Sequence, residues 1–96
     1  MLIVVSYDVS TETAKGRKRL RQIAKAVLDF GTRVQYSVYE CDVDPAQWER
    51  LKATLLRIYN PSEDSLRFYF LGSNWRKRLE HHGQKEIVYR DNPLIL

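Results

Sequence analysis

Residues 2–28 read LIVVSYDVSTETAKGRKRLRQIAKAVL, and a change of period inside this stretch decides the fold. Leu2 to Val9 is a β-branched run, too short for a lone helix, whose apolar residues start on both faces as in an interior strand. Further on, Leu20, Ile23, Ala24, Val27 and Leu28 follow the i, i+3, i+4, i+7, i+8 spacing of one helical stripe. This predicts a helix from about Ala14 to Phe30, with Gly31 as its stop. A strand feeding a helix with one apolar stripe opens a crossover unit, expected to be right-handed.

The rest of the chain continues the alternation. Thr32 to Val43 (TRVQYSVYECDV) is rich in β-branched and aromatic residues, with Val34, Tyr36 and Val38 on one face. It contains no Gly, Pro or Asn on which to turn, so the pattern alone predicts one long or bent strand. A second helix has a clear start. Asp44 can cap, Pro45 suits the first turn, Gln47 can complete a capping box, and Val43 can staple onto Trp48. Its stripe is Trp48, Leu51, Leu55 and Ile58, and Asn60-Pro61-Ser62 ends it. Ser65 to Gly72 is a strand with Leu66, Phe68 and Phe70 expected inward, followed by a basic connector, Trp75 to Gly83. Glu86 to Tyr89 reads as a short last strand, and Asp91-Asn92-Pro93 turns into Leu94-Ile95-Leu96. The order β, α, β, α, β, β predicts an α/β sandwich with both helices on one sheet face, the layer logic of ferredoxin-like folds.

With 96 residues the chain is expected to hold one domain, 1–96. Its 44% hydrophobic and 29% charged residues exclude a disordered chain. The small core has no intrachain disulfide to reinforce it, because Cys41 is the sole cysteine, and a homodimer is the expected remedy. Residues 84–96 are expected to pair with the partner's sheet edge. The N-terminal run lacks a basic leader, and no apolar run approaches the roughly 20 residues of a membrane span. A cytoplasmic protein without a membrane partner is expected.

Sixteen Lys and Arg against twelve Asp and Glu give a net charge of +4, and their arrangement says more than their sum. Lys15, Arg17, Lys18, Arg19, Arg21 and Lys25 fall in the first helix without one acidic residue. A solubility face would mix signs, whereas a one-sign ridge suits phosphates. Arg76-Lys77-Arg78, with Lys85 and Arg90, form a second cluster, and two basic patches favour a polyanionic partner. Asp8 ends the first strand, where open sheets present functional groups. A carboxylate there can bind Mg²⁺, or it can serve an Asx turn or the approach to the helix. Two chains meeting around a two-fold axis would bring two such carboxylates together. His81 and His82 are adjacent and would diverge on a helix, and Cys41 reads as an apolar filler. Tyr36, Tyr39, Phe68, Tyr69 and Phe70 are either core or base-stacking residues. No Gly-rich phosphate loop or Ser-His-Asp set is present.

The strand ending in Tyr7-Asp8, the helix containing Gly16-Arg17-Lys18-Arg19-Leu20, the segment Arg33-Val34-Gln35-Tyr36-Ser37-Val38-Tyr39-Glu40 and the strand Ser65-Leu66-Arg67-Phe68-Tyr69-Phe70 resemble the Cas2 proteins of CRISPR adaptation. The resemblance runs from residue 2 to about 72, and the Arg-Val-Gln-x-Ser-Val-Tyr-Glu stretch is its most specific part. It implies a ferredoxin-like βαββαβ homodimer with an additional C-terminal strand, and it divides Thr32 to Val43 into two strands near Gln35 to Ser37. It also implies a metal-dependent endonuclease, using Mg²⁺ or Mn²⁺ on single-stranded RNA or duplex DNA, that joins Cas1 integrase dimers in spacer acquisition. Asp8 would be the catalytic and metal-binding acid beside Tyr7, and Arg17, Arg19 and Arg33 would contact phosphates, with Tyr7 and Tyr39 among the nucleic-acid-binding residues. Tyr39 stands where many members have Phe. The alternative is a non-catalytic DNA-binding scaffold that bridges integrase dimers; a toxin-like ribonuclease would use similar chemistry on cellular messenger.

Overall fold

Seven residues, Leu2–Asp8, form β1, and every other element is placed by what β1 pairs with or supports. The computed structural model describes residues 1–83. After β1 come α1 (Ala14–Leu28), β2 (Thr32–Gln35), β3 (Val38–Asp42), α2 (Pro45–Ile58), β4 (Ser65–Gly72) and a short 3₁₀ turn, Trp75–Lys77. The four strands form one sheet in the order β2-β3-β1-β4. Pairing is antiparallel throughout, with Val5 opposite Tyr39 on β3 and Phe68 on β4. This is the βαββαβ arrangement of ferredoxin-like folds. The expected last strand, the tail Leu94–Leu96 and the exchange of 84–96 lie outside the described residues.

Both helices cover one face of the sheet. Ile23 and Val27 of α1 and Trp48, Leu51 and Leu55 of α2 share a buried cluster with Ile3, Val5 and Tyr7 of β1 and Tyr39 and Cys41 of β3. The filler role of Cys41 is thus realised, as it is fully buried. Two apolar expectations fail. Leu28 is half exposed, because it lies at the margin of the stripe, roughly 80° around the helix from Leu20. Phe70 is 62% exposed: it meets Trp48 edge-on at 5.7 Å, but it lies on an edge strand beside a register shift at Leu2/Ile3.

The segment expected as one strand from its own pattern is a hairpin. Tyr36 and Ser37 make the turn, neither has a positive φ, and the ladder shifts between Arg33 and Gln35. The turn is anchored from outside, because the Tyr7 N–H donates to the Ser37 carbonyl at 3.1 Å. Tyr36 therefore stands at the tip, 90% exposed, and the inward face passes to Tyr39 and Cys41. Gly31 follows α1 as expected, for a reason other than a left-handed backbone. A Cβ there would lie 2.5 Å from the Cys41 Sγ and the Glu40 carbonyl, so glycine permits the close approach to β3. Gly72, with φ 78°, does take the left-handed conformation as β4 ends.

The second helix starts as its sequence predicts. The Asp44 carboxylate accepts from the Gln47 N–H at 2.7 Å, and the Gln47 side-chain oxygen accepts from the Asp44 N–H at 2.9 Å. Val43 and Trp48 are both buried around this start. Replacing Asp44 by Ala should cost about 1 kcal/mol, lowering the melting temperature by roughly 4–8 °C. Urea denaturation checks this, with a lower midpoint and an unchanged slope as the expected result.

Candidate functional site

Along β1 the side chains alternate, so Ile3, Val5 and Tyr7 enter the core while Val4, Ser6 and Asp8 take the helix-free face. Asp8 ends the strand opposite Ser65 and is exposed. Its carboxylate makes no hydrogen bond or ion pair among the described residues. Helix α1 is capped by Thr13, whose hydroxyl accepts from the Gly16 N–H at 3.1 Å, so Asp8 serves as neither cap nor turn. Ser6, Tyr7, Asp8, Ser65, Leu66 and Arg67 line an open groove of about 500 Å³ there.

Tyr7 and Tyr39 lie beneath this groove. They are 5% and 0% exposed, their rings stack at 5.9 Å, and Arg33 Nε donates to the Tyr39 hydroxyl at 3.1 Å. Burial first, then its contact with Tyr39, pushes the Tyr7 phenol above its ordinary range, so it stays protonated. Inward alternation thus places the Tyr39 ring in the core, while Tyr7, nearly buried, still contributes to the lining of the groove. Arg33 itself is exposed, with its guanidinium 5.6 Å from the Tyr39 ring centroid on the helix-covered side of the sheet. It is joined to the Asp8 strand only through the two tyrosines.

Arg19 has a different commitment. Its Nε donates to Asp64 Oδ2 at 2.7 Å, and its Nη2 reaches Asp64 Oδ1 at 3.1 Å and Glu63 at 3.0 Å. The Asp64 side chain is fully buried and also accepts from the backbone N–H groups of Ser10 and Asn60, at 3.2 and 2.9 Å. One carboxylate therefore ties the β1–α1 loop, α1 and the α2–β4 loop together, next to the Ser65 that faces Asp8. Through its Nε and Nη2 groups Arg19 holds the loop after Asp8 in this clamp.

The other cations of α1 are available. Lys15, Arg17, Lys18, Arg21 and Lys25 are exposed, and none forms an ion pair among the described residues. Arg17 Nη1 donates to the Thr11 carbonyl at 3.0 Å, which holds it over the β1–α1 loop. The second patch is also on the surface: the Arg76 guanidinium lies 4.3 Å from the Trp75 ring centroid, and Arg78 donates to the Leu71 carbonyl. Lys85 and Arg90 lie outside the described residues. His82 pairs with Glu80 at 3.0 Å on the surface. Among the described residues no three His, Cys, Asp or Glu side chains gather to hold a metal. Among the described residues no helix is long and apolar enough to cross a membrane.

The family model described as CRISPR associated protein Cas2 matches residues 1–79. Over all 96 residues the chain is 58% identical to a protein of Chlorobaculum tepidum named CRISPR-associated endoribonuclease Cas2, covering all of both chains. It is 45% identical to a protein of Halalkalibacterium halodurans named CRISPR-associated endonuclease Cas2, over 99% of each chain. The crystal structure of Streptococcus pyogenes Cas2 at pH 6.5 superposes with a TM-score of 0.74 at 52% identity, covering 86% of this chain and 100% of that one.

The Asp64 clamp has a measurable signature. The Arg19 hydrogen bond first, then the Asn60 and Ser10 N–H groups, hold the Asp64 carboxyl below its ordinary range against the opposing effect of burial. A depressed folded pKa stabilises the fold above the unfolded value and stops doing so as pH falls through the folded one. Asp64→Asn should therefore be less stable than the parent at pH 7, with the gap shrinking below about pH 4. Urea midpoints at pH 7 and pH 3 measure both effects.

Proposed function

Since the chain belongs to the CRISPR-associated Cas2 family, we propose that it is a nuclease that hydrolyses phosphodiester bonds of RNA at Asp8, working as a homodimer. The observation that carries this reading is the exposed Asp8 carboxylate, which makes no hydrogen bond or ion pair among the described residues and lines an open groove. A charged side chain left at a strand end with nothing to satisfy it inside the molecule is available to a ligand. The names of the Chlorobaculum and Halalkalibacterium relatives support nuclease chemistry, the first on RNA.

A divalent cation fits this reading on one condition. Mg²⁺ takes one or two carboxylates and keeps several waters, and among the described residues that line the groove Asp8 is the one carboxylate. The Asp8 residues of two protomers around a two-fold axis would supply the pair. Mg²⁺ or Mn²⁺ held there would act as a Lewis acid, offsetting phosphate charge and making water more acidic. In the reaction a water oxygen bonds to phosphorus as a P–O ester bond breaks, and the protons of water pass to solvent and to the leaving oxygen. The chain's own part is to position: Asp64 and Arg19 hold the loop beyond Asp8, and Tyr7 packs under the strand end. Lys15, Arg17, Lys18, Arg21 and Lys25 draw the polyanion toward this end of the sheet, with Arg33 contributing charge from the far edge.

A second reading, a DNA-binding scaffold that bridges Cas1 integrase dimers, is favoured by the unpaired ridge on α1. Such a scaffold needs cations and a dimer but no activated water. Asp8→Asn separates the two readings, because Asn keeps the shape and removes the charge. The variant should sediment as the same dimer, bind single-stranded RNA and duplex DNA at least as tightly as the parent, and lose Mg²⁺-dependent, chelator-sensitive cleavage by at least about a hundredfold. A parent that binds but cleaves neither substrate hands the function to the scaffold; a variant that cleaves like the parent removes Asp8 from the chemistry.

A further inference from the structure

We propose that Arg67 is the phosphate-binding residue of the Asp8 groove, the guanidinium that grips the phosphodiester beside the catalytic acid. This rests on the reading of Asp8 given above. The register puts Ser6 opposite Arg67 and Asp8 opposite Ser65, so these four side chains share one sheet face, with Arg67 on the diagonal from Asp8. Diagonal neighbours of this kind stand roughly 7–8 Å apart at their backbones. A long side chain can span that distance, yet no ion pair joins Arg67 to Asp8 among the described residues, which leaves both free to hold a group between them.

The charges make Arg67 necessary to the groove. An anionic carboxylate repels an anionic phosphodiester unless a cation stands close by, and of the described residues that line the groove only Arg67 is cationic. The ridge of α1 cannot substitute at this spot, because α1 packs on the opposite face of the sheet, as does the Arg33–Tyr39 pair. Arg19 has its Nε and Nη2 donors engaged by Asp64 and Glu63. By contrast, the Arg67 fork makes no hydrogen bond or ion pair among the described residues.

Its position is nevertheless restrained. The Arg67 guanidinium carbon lies 5.9 Å from the centroid of the Tyr69 ring, a neighbour two residues on and on the same face. Tyr69 is 46% exposed and lies opposite Val4, so the ring draws the guanidinium away from Asp8 rather than into an ion pair with it. A planar fork resting on a ring has less freedom to lose when it takes two phosphate oxygens.

The test uses the full chain, a labelled single-stranded RNA and a labelled DNA duplex. Salt-dependent binding is measured by anisotropy without divalent cation, and single-turnover cleavage with Mg²⁺. Arg67→Ala and Arg67→Gln should each shallow the log-log salt slope by about 0.7 on the single strand and about 0.9 on the duplex, one phosphate's worth. Each should also slow cleavage by at least about tenfold. Arg67→Lys should keep the slope, as it keeps the charge, yet slow cleavage, as it lacks the fork. Arg57→Ala, on the exposed end of α2, should change neither quantity. An unchanged slope in both neutral variants overturns the proposal whether or not the parent cleaves. A shallower slope with a parent that never cleaves upholds the phosphate grip and rejects the nuclease reading instead.

Discussion

A strand turns its side chains over every residue, and in β1 that period of two separates what is structural from what is chemical. Tyr7 goes down into the core and Asp8 goes up into solvent, one bond apart along the chain. A slip of one residue would exchange them, burying an unpaired carboxylate and exposing Tyr7 with the rest of the inner face. The register is held from both sides, because β3 and β4 each pair along most of β1, and the hairpin tip adds the bond from Tyr7 to Ser37. The position of the acid is thus a property of the whole sheet.

Beyond Asp8 the chain leaves the sheet, and the ladder no longer holds it. The buried Asp64 carboxylate takes over, gathering Ser10 from the outgoing loop, Arg19 from α1 and Asn60 from the loop that returns to β4. A buried ion pair contributes little net stability against an apolar substitute, because desolvation offsets most of the attraction. Its value is geometric, since it accepts a defined set of donors in defined directions. Here that geometry holds the two backbone segments that flank the Asp8–Ser65 pair.

What could be read from the sequence was what is local. The start of α2 needed only Asp44, Pro45 and Gln47, and the structure closes the capping box. The buried stripes of both helices follow from spacing, apart from Leu28 at the margin. The hairpin between β2 and β3 left no such trace. Its turn uses Tyr36 and Ser37 without a positive φ, and the bond that anchors its tip comes from β1, about thirty positions earlier. The acid of the candidate site was legible, because a strand end announces itself, but its surroundings were not. Arg19 reads as one more cation in a ridge until Asp64, distant in sequence, is placed against it. Arg67 sits inside a quoted motif, yet only the register shows that it shares the Asp8 face.

The pairing of β1 with β4 also governs the order in which the molecule can be made. β1 lies in the middle of the sheet, but its partners on the two sides come from Val38–Asp42 and from Ser65–Gly72. During synthesis, therefore, the apolar edge of β1 must wait while both helices emerge, and the sheet cannot close until the last described strand has left the ribosome. Such distant pairings slow folding, because the chain entropy of bringing the ends together is lost before the contacts repay it. A nascent chain whose α2 has emerged but whose β4 has not would carry Leu2–Asp8 and the hairpin as a three-stranded sheet with one long open side, a ready template for another nascent chain of the same kind.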